Sequence, residues 1–251
     1  MLIDTHCHLD TEDYLDVEQV ISNMNNNIMI ASSCNIETTK RVIELINKYD
    51  NIYGTIGIHP NELEDLNEEG LKFLEENLNN PKIVGIGEIG LDYHYGMEYK
   101  EIQKEYFIKQ IELAKKYNKP IVIHSRDAAL DTYNILSKNL GNLKAVMHCY
   151  SYSYEMAIKY NELGVLFGIG GVLTFKNAEK LKKIVSSFPM SNFVLETDSP
   201  YLSPEPFRGQ TNEPKNVEIV AEEIARLKGL NKEEVVKNTT ENAIGLFDLN
   251  I

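Results

Sequence analysis

A single (β/α)8 barrel, the TIM-barrel α/β fold, with residues 1–251 as one domain, is what this sequence predicts, and three observations carry the prediction. Short β-rich runs alternate with longer segments of helical period along the whole chain, the pattern of βα units on a parallel sheet. Eight such runs fit into 251 residues, and barrels of this kind fill about 250 residues as one domain. The turn after the first run reads His6-Cys7-His8-Leu9. The competing fold, a doubly wound sheet, would carry a Gly-rich phosphate turn there.

Taken in order, the predicted strands are aliphatic and β-branched runs bounded by polar or turn-forming residues. They span Leu2 to Thr5, Ile28 to Ser32, Ile52 to Gly57, Ile83 to Gly87, Ile121 to Ile123, Lys144 to Met147, Val165 to Gly168 and Phe193 to Leu195. Between them, Glu37 to Tyr49, Glu98 to Tyr117 and Ala178 to Phe188 have an apolar stripe at helical spacing. Asn216 to Lys228 and Lys232 to Phe247 close the chain in the same way. Pro200, Pro204, Pro206 and Pro214 cluster after the last strand, so residues 199 to 214 form a long ordered loop that would overhang the C-terminal face of a barrel. No linker or fixed-period repeat interrupts the pattern.

Composition narrows the function classes. Hydrophobic residues make up 43% and charged residues 25%, which supplies a sizeable core and argues against disorder. The longest nearly apolar stretch, Val165 to Phe175, falls far short of the roughly 18 to 20 residues that span a bilayer. Asp4 stands where a signal peptide needs a basic and then an apolar region. Cys7, Cys34 and Cys149 are odd in number and lack CxxC spacing, as free thiols in a reducing compartment would. A cytoplasmic protein without a membrane segment or an obligate protein partner is expected. The formal charge of −13 argues against an extended nucleic-acid-binding face. Bound divalent cations would reverse the sign locally, so a nucleic-acid substrate stays open.

Six side chains carry the chemistry. His6 and His8 are one residue apart at the end of the first strand, so strand alternation turns both to one face and turns Cys7 away. Glu88, His124, His148 and Asp198 each follow a predicted strand. In a barrel the C-terminal strand ends converge on the face where active sites lie, so the six would meet in space. Four imidazoles and two carboxylates exceed one tetrahedral site, and two ions sharing a carboxylate is the natural partition.

These residues sit in ordered blocks: Asp4 to His8 (DTHCH), 57 to 60 (GIHP), 87 to 93 (GEIGLDY), 123 to 126 (IHSR), 147 to 151 (MHCYS) and 196 to 202 (ETDSPYL), with Arg208-Gly209 and Asn212-Glu213-Pro214 beyond. Over essentially the full length they resemble the signature blocks of the TatD-type metal-dependent hydrolases, of the amidohydrolase-like barrels. The resemblance implies a divalent-metal-dependent deoxyribonuclease with 3′ to 5′ exonuclease action. The net charge, together with a metal centre at a barrel mouth, points to single-stranded DNA or frayed 3′ ends. The resemblance implies two divalent cations, with zinc, manganese and magnesium all open. His6 and His8 would hold one ion with Asp198, His124 and His148 the second, and Glu88 would bridge them. Where related barrels bridge with a carbamylated lysine, this chain has a carboxylate, and Lys82 lies at the wrong end of its strand. Tyr152 replaces the small residue usual in the family.

Asp198 is the candidate proton acceptor, and His59 would orient the scissile group or serve behind the ligands. Arg126, two residues after His124 on the same face, offers a fork for a phosphate oxygen or an ion pair to Asp92 or Glu88. Arg208 would clamp a neighbouring phosphate or lie on the surface. Tyr93, with His94 and Tyr95, offers rings for a base or packs its own loop. Cys7 and Cys149 read as small packing residues. Two other functions compete. One is amide or ester hydrolysis, of a D-aminoacyl-tRNA or a small metabolite. The other is a metal-binding barrel without catalysis, against which the full set of six donors weighs.

Overall fold

The computed structural model describes residues 1–9 and 12–251. Eight parallel strands form one sheet in chain order: β1 (Ile3–Cys7), β2 (Ile28–Ser32), β3 (Ile52–Ile56), β4 (Ile83–Asp92), β5 (Ile121–Arg126), β6 (Ala145–Met147), β7 (Val165–Ile169) and β8 (Phe193–Leu195). Closure brings β1 against the segment leaving β8. Cys7 bridges to Ser199, the His8 amide donates to the Ser199 carbonyl at 2.7 Å, and the Asp198 amide donates to the His6 carbonyl at 3.0 Å. Asp4, fully buried, ties the same seam by accepting from the Thr197 amide and hydroxyl at 3.0 and 2.6 Å. The seam that closes the barrel therefore carries three of the six candidate donors.

Helices α1 (Val17–Asn23), α2 (Ile36–Lys48), α3 (Glu68–Asn77), α4 (Lys100–Tyr117), α5 (Ala129–Asn139), α6 (Tyr154–Glu162), α7 (Glu179–Ser187), α8 (Val217–Lys228) and α9 (Lys232–Phe247) alternate with the strands, the last two in succession. Local sequence explains their ends. Asn35 caps α2 in a reciprocal box with Thr38, and Asn67, Ser153 and Asn231 cap α3, α6 and α9, because a short polar side chain can accept from an otherwise unpaired amide. Asn118 and Gly229 end α4 and α8 in the left-handed region, which Asn and Gly enter at least cost.

Position along the strands divides the barrel interior into an apolar floor and a polar mouth. Ile3, Ile28, Ile30, Val84, Val122, Val146 and Val194 pack into one buried cluster with Ala243, Leu246 and Phe247 of α9, at the strands' N-terminal end. Most other apolar strand residues pack with the helices in a second, larger core, where Cys7 is found, away from His6 and His8 as alternation requires. Farther along the same strands come Ser32, Thr55, Glu88, His124 and His148.

Six strands differ from the sequence-based bounds: β3 ends one residue earlier at Ile56, β6 begins one later at Ala145 and β7 runs one further to Ile169, and the other three bear on the site. β1 begins one residue later and runs to Cys7, β4 continues to Asp92 and β5 to Arg126, so His6, Glu88, His124 and Arg126 lie within strands rather than after them. The extension comes from pairing, since Gly90, Leu91 and Asp92 register against His124, Ser125 and Arg126. At Gly90, with φ near +149°, an added Cβ would sit 1.9 Å from the His124 carbonyl oxygen. Only glycine permits that approach.

Candidate metal centre

The six donors gather at the polar mouth, and the Glu88 carboxylate lies between them with one oxygen toward each pair of histidines. Its Oε2 is 3.4 Å from His6 Nε2 and 3.6 Å from His8 Nε2. Its Oε1 is 2.7 Å from His124 Nδ1 and 2.8 Å from His148 Nε2. Asp198 Oδ1 joins the first pair, 3.6 Å from His6 Nε2 and 3.5 Å from His8 Nε2, which are themselves 3.2 Å apart. Donors held about 2.0 to 2.2 Å from a tetrahedral ion lie about 3.3 to 3.6 Å from each other. The first set has these spacings, so its residues fit a cation by geometry and by donor type. In the second set, the short contacts to Oε1 are charge-assisted hydrogen bonds, which a cation would replace.

Burial and neighbouring charges together set the charge states. Burial alone would raise Glu88, but His148, His59 and the hydrogen bonds from His124 and His148 hold its carboxyl well below the usual range. Asp198 is likewise held down, against burial, by the hydrogen bond with His8 and the charges of His148 and His6. Burial and the nearby His148 push His6 down to about 4, whereas Glu88 outweighs burial at His148 and lifts it to about 9. The centre thus presents two anionic carboxylates among imidazoles, a field that favours a cation.

Surrounding groups orient the imidazoles. His6 Nδ1 meets the Ser32 hydroxyl at 3.0 Å and His8 Nδ1 the Ser32 carbonyl at 3.1 Å. His124 Nε2 faces Asp92 Oδ2 at 3.1 Å, and Asp92 is gripped by Asn61 Nδ2 and the His94 amide at 3.0 and 2.9 Å. Those hydrogen bonds, led by the one from His124, outweigh burial and bring Asp92 to about 2. His59 differs from the other four. The Asn61 amide donates to its Nδ1 at 3.2 Å, so the lone pair is at Nδ1 and the proton at Nε2, which lies 3.6 Å from Glu88 Oε1. Burial and the His124 charge lower its pKa to about 3. His59, Asp92 and His124 could together surround an ion, but this proton makes His59 a neutral hydrogen-bond donor.

A pocket of about 660 Å³ opens over the centre, and its wall includes Tyr95, Arg126 and Tyr201. Arg126 is exposed, with Cζ 5.6 Å from the Tyr95 ring centre. Among the described residues it forms no ion pair with Asp92 or Glu88, which leaves the fork available. Tyr93 is not brought to the pocket: its hydroxyl donates to Asp131 at 2.9 Å and Lys100 sits over its ring. Tyr95 takes its place. Arg208 is also outside, stacked 4.3 Å from the Phe175 ring centre. The Tyr152 hydroxyl binds Ser125 Oγ at 2.8 Å and the Ala128 amide at 3.2 Å, so its bulk anchors the turn after β5. Lys82 donates to the Ile46 and Tyr49 carbonyls at the far end of β4.

Sequence reasoning assigned no role to Glu196 or Tyr201 and considered Asp92 only as a partner for Arg126. Asp92 stands four residues from Glu88 and Glu196 two from Asp198, so the alternation that paired His6 with His8 would have found both. Tyr201 has no such signal.

A metal-dependent hydrolase on a (β/α)8 barrel is the class that this fold and donor set define, and comparison with known proteins agrees. The family described as TatD related DNase matches residues 3–248. An uncharacterized metal-dependent hydrolase, YabD of Bacillus subtilis (strain 168), is 43% identical over 255 residues, covering 100% of both chains. YcfH of Escherichia coli (strain K12), named in the same terms, is 36% identical, covering 99% of this chain and 96% of its own. The crystal structure of YjjV, a TatD homolog from Escherichia coli K12, superposes with a TM-score of 0.91 at 29% identity, over 99% of this chain and 98% of that one. The chain belongs to the TatD family of metal-dependent hydrolases. Among the described residues no helix is long and apolar enough to cross a membrane.

Proposed function

We propose that the protein is a two-metal phosphodiesterase that removes nucleotides from the 3′ end of single-stranded or frayed DNA. The observation that carries the reading is Glu88, whose two oxygens face two separate donor sets. His6, His8 and Asp198 would hold one divalent cation, His124 and His148 the other, with Glu88 between them. Bound there, such cations lower the pKa of a water and neutralise charge on phosphoryl oxygens. Asp198, anionic and at the pocket wall, accepts the proton released by the attacking water. His59 presents Nε2–H to a phosphoryl or leaving oxygen and, being neutral, orients and stabilises it without transferring a proton. Arg126 supplies a fork for a phosphate oxygen, and Tyr95 a ring on which a base can stack.

The family description supports a nucleic-acid substrate. Net charge sets its size: with −13 overall and one arginine in the pocket wall, few phosphates are neutralised, and the affinity should fall with log salt at a slope of about −1 to −3. Arg126→Ala should weaken DNA binding and reduce that slope by about one. An unchanged slope would remove Arg126 from the phosphate contacts. His59→Ala should keep the cation content and lower kcat about a hundredfold, the cost of one lost transition-state donor. Lost metal would make His59 a ligand instead.

The acidic wall beside the pocket, with Glu37, Glu62, Glu64 and Asp65, favours a second reading, hydrolysis of an ester or amide bearing an amine, as in an aminoacyl-tRNA. A panel of end-labelled single-stranded, blunt and closed circular DNA, RNA, aminoacyl-tRNA and amide esters, assayed with added divalent metal and with EDTA, separates the two. Stepwise shortening of single strands from the 3′ end is expected. Efficient cutting of closed circles, or activity only on the aminoacyl ester, would overturn the proposal.

A further inference from the structure

We infer that Glu196 is the positioning residue of His148, accepting a hydrogen bond from its Nδ1–H when Nε2 holds a cation; this rests on the two-cation reading above. An imidazole that ligates a metal through one nitrogen almost always donates from the other to a carboxylate, a carbonyl or water. At His6, His8 and His124 that second nitrogen already has its partner, in Ser32 Oγ, the Ser32 carbonyl and Asp92. His148 is the exception, because its Nδ1 is buried without a hydrogen-bond partner among the described residues. Glu196 Oε1 faces it at 3.9 Å, and a shift of about 1 Å brings the two into hydrogen-bond range.

Glu196 is itself out of place in a barrel interior unless it is used. The side chain is fully buried, and its Oε2 has no partner among the described residues. An unsatisfied buried polar group costs about 1 to 3 kcal/mol. The surroundings are nonetheless shaped for it, since a Cβ at Gly168 would come within 2.1 Å of Oε2. The Cys149 amide, in the same turn, donates to its Oε1. Cys149 has φ near +46°, so this carboxyl secures an unusual backbone turn directly after His148 while facing the imidazole. The same oxygen can accept both donors.

The test is Zn²⁺ binding to the whole purified chain, titrated against a chromophoric chelator to read two dissociation constants. Glu196→Leu, close in size and without an acceptor, should weaken the second cation about 10- to 100-fold and leave the first within a small factor. Glu196→Gln retains an acceptor oxygen and should restore most of the loss. If Gln binds as weakly as Leu, Glu196 acts through its charge and the positioning role is overturned. A folded Leu variant with wild-type affinity at both sites overturns it too. Wild-type protein that binds fewer than two ions would instead sink the two-cation reading. Should Leu fail to fold, NMR of the zinc-loaded wild type gives the answer: a slowly exchanging His148 Nδ1–H resonance that shifts in Glu196→Gln is expected, and its absence overturns the inference.

Discussion

Asp198→Asn is expected to lower turnover by two orders of magnitude or more, roughly the contribution of a positioned general base, while KM changes little. The side chain combines two properties that few others in the pocket share. It is anionic despite burial, held so by His8 and by the charges of His148 and His6, and it lines the space where substrate must sit. The variant is also a clean one for the backbone. Asp198 has φ near +54°, a left-handed conformation that Asn enters as readily as Asp. An Ala there would mix backbone strain with lost chemistry. Because Oδ1 also lies within 3.6 Å of His6 and His8, cation content has to be measured beside kcat. A fall in turnover at full occupancy assigns Asp198 to proton transfer, and a parallel fall in both makes it mainly a ligand. Unchanged turnover would exclude it from the chemistry.

Glu88→Gln is expected to have the largest effect on the cations, taking occupancy from about two ions per chain to below one, read by elemental analysis after loading and dialysis. An amide keeps one oxygen and turns a hydrogen-bond donor toward the other pair. Whichever way it sits, either His6 and His8 or His124 and His148 lose their shared anionic donor. The remaining set faces an uncharged oxygen in a buried site where the carboxylate had offset the imidazoles' lack of negative charge. Activity should disappear with the ions. Retention of two ions by this variant would mean that Glu88 does not bridge, and the division of the six donors into two sets would fall with it.

The sequence by itself determined the barrel and singled out the six candidate donors. Both are written in local periodicity: alternation along Asp4 to His8 puts His6 and His8 on one face and Cys7 in the helix-facing core, and eight strand–helix pairs bring distant strand ends to one mouth. Closure then needs no further signal, because right-handed βα units in chain order leave β1 beside β8. Only the tertiary structure decided how far the strands run and which side chains face the donors from behind. β4 reaches Asp92 because β5 pairs with it there, and that pairing carries Asp92 to His124. The proton on His59 Nε2 follows from the Asn61 amide at Nδ1. Tyr95 rather than Tyr93 enters the pocket because Asp131 and Lys100, from the neighbouring α5 and α4, take Tyr93 out of it. Glu196 meets His148 across strands separated by nearly fifty positions. Apart from Asn61, two residues from His59, the deciding partner comes from another segment of the chain, brought within reach only in the folded state. Residue spacing reports which face a side chain occupies, but not what stands opposite.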